Sequence, residues 1–171
     1  MGFWHNMNGQ GIITKSSGVG PWLYNTFGGA NGPYAAMPGG ASASGSQVAA
    51  YFLTVFSAAN CSNNCTAMLR AQSFATALNV YFSDPGLGGN KIGAFNGNGT
   101  FQQPIGNMTI DTTAWKAAFN NQTSMTVLAM LQYVASQYNA TTKVYYGGNQ
   151  ALTALAAEAF NAINNDQVKL V

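Results

Sequence analysis

Charge is what this chain has least of. Only 6% of its 171 residues are Asp, Glu, Lys or Arg, where about 25% is usual for a globular protein. Six basic and four acidic residues leave a net charge of +2. That is too small and too scattered for the electrostatic footprint that nucleic acid or an anionic lipid surface requires. No stretch approaches the roughly 18 consecutive apolar residues of a membrane span, so no span is expected. The start has no basic segment followed by an apolar one, so an attached signal peptide is not expected. If the protein is secreted, Met1 is not its natural start and the natural chain is longer at the N-terminus.

Scarcity of titratable side chains also removes most chemistry. Acid-base catalysis would have to draw on Asp84, Asp111, Glu158, Asp166 and His5, the only histidine. Asp84 reads as a helix stop before Pro85, Asp111 as a helix cap and Asp166 as part of a fraying helix end. Glu158 alone has no evident local task beyond facing solvent. A Ser-His-Asp or Cys-His site has one imidazole to use, and no Gly-x-Ser-x-Gly elbow is present. The glycines of "GVGPWLYNTFGG" and "GLGGNKIG" give neither a P-loop nor a dinucleotide fingerprint. No Asp-x-Asp-x-Asp-Gly calcium loop occurs. The expectation is a protein that is not an enzyme and carries no metal or cofactor.

Cys61 and Cys65 are the only cysteines. Four residues apart at a helix start, they are able to reach disulfide geometry. A metal pair and two free thiols are the alternatives, but a metal site needs further ligands and only His5 is on offer. A disulfide closing so short a loop pins a helix end rather than holding the fold.

In place of charge stand Asn, Gly, Ser, Thr, Gln and Tyr, which hydrogen-bond without depending on pH or salt. Such a surface suits an exposed, variable environment. Candidate N-glycosylation sites fall at Asn60, Asn64, Asn98, Asn107, Asn121 and Asn139, although an Asn- and Thr-rich chain makes such triplets by accident. Trp4, Trp22, Tyr24, Tyr34, Tyr145 and Tyr146 are candidates for a sugar-stacking or subunit-contact surface. The plainer reading is that they clamp irregular segments onto the helices.

Length and patterning describe one module over residues 1–171. Residues 1–45 show no helical period and read as an ordered, irregular Gly/aromatic segment laid over a helical body at 46–171. Val48, Tyr51, Phe52, Val55, Phe56 and Ala59 mark one helix, with Ser44 and Gln47 as its capping box. A second helix runs from Thr66 to Phe82 and stops at Asp84-Pro85-Gly86. "KIGAF" and "GTFQ" suggest a small β-ribbon or a loop insertion near 85–110. Asp111 opens a short helix. Thr123 or Ser124 caps a helix over 124–138, and Asn149 caps the last. The fold class is mostly α, with four to five amphipathic helices.

The opening "GFWHNMNGQGII" resembles the Gly-Phe-Trp-Lys-Asn-x-x-Gly-Gln-x-Leu-Ile start of a module found in large secreted or surface-anchored bacterial proteins, often beside immunoglobulin-like or SdrD B-type repeats. "GPWLYNTF", "VAAYFLTVF", "AQSFATALNVYFSD", "NNQTSMTVLAMLQYV" and "EAFNAINND" extend the match in order. His5 replaces the usual Lys, and the cysteine pair and glycosylation triplets are departures. The resemblance implies an extracellular or cell-surface location and a structural or adhesive role, with other copies or neighbouring surface domains as partners. It transfers no catalytic residue. Carbohydrate binding through exposed Trp and Tyr, and self-assembly into a filament, are the other functions weighed.

Overall fold

The computed structural model describes residues 1–92 and 104–171. The ribbon expected from "KIGAF" and "GTFQ", and Asn98, fall wholly or partly outside these residues.

Segment 1–45 is ordered and packed on the body, but its first half is helical, contrary to the irregular course expected. Helices α1 (Gly2–His5), α2 (Met7–Thr14) and α3 (Val19–Thr26) follow one another, and single 3-10 turns cover Gly29–Asn31 and Gly40–Ser42. The sequence looked non-helical because of its glycines, which serve here as points of close approach rather than as breakers. A Cβ at Gly9 would lie 2.3 Å from Phe3 O, and one at Gly20 would lie 2.2 Å from Ala43 O. Both glycines are buried. The elements therefore number more than the four or five expected.

Helix α4 (Gly45–Ser57) carries the predicted capping box: Ser44 Oγ accepts from Gln47 N, and Gln47 Oε1 accepts from Ser44 N. Helix α5 (Thr66–Ser83) ends where expected, at Asp84. It is the axis of the fold. Every residue from Ala71 to Ser83 is buried, because α3, α4, α6 and α7 all pack against it. Helix α7 (Gln150–Asn164) lies along it, started by Asn149 Oδ1 accepting from Leu152 N as predicted.

Two antiparallel hairpins complete the described chain. Strand β1 (Thr109–Asp111) pairs with β2 (Ser124–Thr126), with Ile110 opposite Met125. Residues 124–126 are thus strand, and α6 (Val127–Ser136) starts later than expected, capped by Thr126 rather than Thr123 or Ser124. Between β1 and β2 a 3-10 helix covers Thr113–Phe119. Strands β3 (Tyr138–Asn139) and β4 (Val144–Tyr145) form the second hairpin. One apolar cluster draws on all these parts, from Trp4 and Ile13 through Phe52, Phe74 and Leu78 to Phe119 and Phe160.

Candidate functional site

The opening stretch, residues 2–13, is a tight local lock. Trp4 is 1% exposed, while its neighbour His5 is exposed. Asn6 Oδ1 accepts from Gly9 N and starts α2. Gln10 Nε2 reaches back to donate to Trp4 O at 2.8 Å. Ile13 is fully buried. Gly9 brings α2 against the backbone of Phe3 and Trp4. Trp4, Asn6, Gly9, Gln10 and Ile13 make these contacts, and His5, Met7 and Asn8 between them are exposed. Phe3 is an exception, 39% exposed, resting edge-on against Trp4.

From Trp4 a chain of neutral polar groups crosses the protein. Trp4 Nε1 donates to Asn79 Oδ1 at 2.8 Å, and Asn79 Nδ2 donates to Asn164 Oδ1 at 3.0 Å. Thr76 Oγ1 lies 3.0 Å from both Asn164 Oδ1 and Gln72 O. Asn164 Nδ2 donates to Gln72 O and to Gln72 Oε1, and Gln72 Nε2 donates to Asn161 Oδ1. All but Asn161 are buried. Buried amides left unpaired cost about 1–3 kcal/mol each, so this satisfied ladder fixes how α5, α7 and the N-terminal segment meet. It escapes a sequence reading because polar residues at 72, 76 and 79 have the spacing of a solvent-facing stripe.

The candidates for chemistry lie apart. His5 stacks on Phe56 with ring centroids 4.4 Å apart, its Nδ1 2.5 Å from Gly2 O. Glu158 accepts from Trp115 Nε1. Asp84 Oδ1 accepts from Gly86 N, closing the turn that stops α5. Asp111 Oδ1 accepts from Thr113 N, and hydrogen bonds from Thr113 hold its carboxyl below the usual range. Asp166 is buried just beyond α7. Among the described residues no three His, Cys, Asp or Glu side chains are grouped to hold a metal.

The six aromatic candidates do not form one surface. Trp4, Tyr34 and Tyr145 belong to the core, which removes them as sugar or subunit contacts; burial pushes the phenols of Tyr34 and Tyr145 well up. Trp22, Tyr24 and Tyr146 are half-buried. Trp22 packs on Phe27 and Tyr81, and Tyr146 Oη donates to Ala118 O. Cys61 and Cys65 lie at disulfide-bonding distance, their Cα atoms 3.9 Å apart, just before α5. Asn60, Asn107, Asn121 and Asn139 are exposed and Asn64 is half-buried. Several of these amides hold turns: Asn60 Oδ1 accepts from Ser62 N, Asn64 Oδ1 from Thr66 N, and Asn139 Oδ1 from Thr141 N and Thr142 N.

Three surface depressions among the described residues have ligand-sized dimensions. One, about 690 Å³, lies between the α2–α3 turn and the end of α5, with Lys15 and Lys91 on its walls. Two more share Tyr138 as a wall, one of about 600 Å³ beside Asn139, Thr142 and Tyr146 and one of about 270 Å³ beside Gln132 and Asn31. No Asp, Glu, His, Lys or Arg lines these two; amides, hydroxyls and tyrosine rings share their walls with Phe27, Ala135 and Val144. Tyr138 is not among the site candidates of the sequence; its spacing puts it on the apolar face of the helix over 124–138, whereas α6 ends at Ser136 and Tyr138 opens β3. Among the described residues no helix is long and apolar enough to cross a membrane. No family model matches the chain, and neither a curated protein nor a solved structure shows significant similarity to it.

Proposed function

We propose that the chain is a non-enzymatic structural or adhesive module of the cell exterior, a building block of a surface protein or fibre whose partners are neighbouring domains or further copies. The observation that carries this reading is the neutral ladder from Trp4 to Asn161. It joins the two ends of the chain through groups that do not titrate between the extremes of pH and are not screened by salt. A module exposed to a changing medium needs joints of this kind. The resemblance of "GFWHNMNGQGII" to a surface module points the same way, as does a surface nearly without charge.

The test is immunolabelling of intact cells of the source organism with antibodies to the folded chain. Labelling without permeabilisation is expected; labelling that requires permeabilisation would refute the extracellular placement. Adhesion or assembly should survive His5→Ala and Glu158→Gln and fail in Asn164→Leu.

A second reading, carbohydrate binding, is favoured by the groove around Tyr138. Uncharged amides beside an aromatic ring are the groups that recognise sugar hydroxyls and the apolar face of a pyranose. A glycan array separates the two: signals that vanish in Tyr138→Ala would establish the second, and a blank array would remove it.

A further inference from the structure

A small cavity beneath α4 and α5 gathers one guanidinium and four hydroxyls but no carboxylate. Its volume is about 10 Å³, and Arg70, Ser73, Tyr51, Tyr34 and Tyr145 contribute its polar wall. That is room for roughly one water-sized sphere. Tyr145 is fully buried, and its Oη makes no close hydrogen bond, with the Ser73 hydroxyl as its neighbour in the wall. Arg70 donates to Tyr51 Oη, and a guanidinium has four further N–H donors and no acceptor. Ser73 Oγ gives its proton to Leu69 O at 2.7 Å. No carboxylate lines the cavity.

A water molecule there would accept at most two hydrogen bonds and bring no counter-charge to the half-buried guanidinium. A spherical anion accepts from several donors at once and supplies that charge. We propose that the cavity binds one halide-sized monovalent anion, chloride in ordinary media, between the Arg70 guanidinium and Tyr145 Oη. The anion joins four separate stretches of chain: the loop at Tyr34, α4 through Tyr51, α5 through Arg70 and the second hairpin through Tyr145.

The experiment is chemical unfolding of the full chain in chloride, bromide and gluconate at equal ionic strength, with crystals grown in bromide. Stabilisation by chloride and bromide over gluconate should saturate. At chloride a hundredfold above its dissociation constant the unfolding equilibrium constant should fall about a hundredfold. An anomalous bromide peak should lie within hydrogen-bonding reach of Arg70 and Tyr145 Oη. Tyr145→Phe removes a hydroxyl that makes no close hydrogen bond, so in gluconate it should stay within about 1 kcal/mol of the parent, and it should lose the halide effect; Arg70→Gln should lose it too. Equal stability of the parent in all three salts, a water with no bromide in the cavity, or a halide effect that survives in Tyr145→Phe would each overturn the proposal.

Discussion

Trp4 and Asn79, 75 positions apart, share a buried 2.8 Å hydrogen bond from indole to amide. Through it the N-terminal segment is fastened to the central helix by a polar contact as well as by packing. Asn79→Ala leaves the indole N–H without a partner and Asn164 Oδ1 with one donor fewer. The expected loss is about 3 kcal/mol, read from the urea midpoint. His5→Ala, one residue from Trp4 but exposed, should stay within about 0.5 kcal/mol of the parent.

Replacing an amide in the ladder with an acid of the same shape gives it a pH dependence it now lacks. In Asn164→Asp, burial would raise the folded carboxyl's pKa above its unfolded value of about 4. Between those two values the folded state holds the extra proton. The variant's stability should therefore fall as pH rises from about 4 and level off above the folded pKa. A pH series of denaturant midpoints that runs parallel to the parent's would contradict this.

Two glycines of α2 should respond to alanine with opposite signs. At Gly9 the new Cβ would sit 2.3 Å from Phe3 O and 2.7 Å from Trp4 Cα, both backbone atoms, so Gly9→Ala should cost about 2–3 kcal/mol. Gly11 has nothing within 4 Å of the same position. Gly11→Ala should stabilise by about 0.5–1 kcal/mol through helix propensity and a stiffer unfolded chain. Thermal melts of both variants decide it.

Alkali should unfold this protein more readily than acid. Burial raises the phenols of Tyr34, Tyr145, Tyr146 and Tyr51 above their ordinary value of 10.0. Above that value the unfolded chain releases protons that the folded one retains, so stability falls as pH climbs past 10. Each fully protected tyrosine contributes up to about 1.4 kcal/mol per pH unit. On the acid side Asp111 is lowered, and its small contribution disappears as pH drops below about 4. Midpoints measured across the pH range should show a broad plateau and a steep alkaline edge.

Loss of the Cys61–Cys65 link should be tolerated. The loop it closes is so short that the chain-entropy contribution is about 2 kcal/mol, and α5 is held by its burial along most of its length. The Cys61→Ser, Cys65→Ser double variant should keep its helical circular dichroism and melt somewhat lower. A variant that does not fold would show that the link does more than pin the start of α5.

How much of this was legible in the sequence depended on what each residue type was used for. Ser44 with Gln47, and Asn149, announced their helices because capping is local chemistry, and α4 and α7 show an apolar face because only one side is covered. Helices α1 to α3 were hidden by Gly9 and Gly20, whose missing side chains answer to distant backbone rather than to local conformation. The hairpins escaped notice because strands of two or three residues have no period to read. Among site candidates, the spacing of Gln72, Thr76 and Asn79 had the form of a solvent face. Only the packing of α7 against α5 turns it inward, and nothing local to α5 records that.

The central claim is that the opening stretch and the neutral ladder make the N-terminal segment, α5 and α7 one cooperative unit. Native-state hydrogen exchange of the Trp4 indole N–H, compared with the slowest amides of α5, tests it most directly. The account predicts that the indole exchanges only through global unfolding, with the same free energy and denaturant slope as those amides. An indole proton that exchanges at much lower free energy, independent of denaturant, would contradict it and reduce the segment to a loosely attached cover.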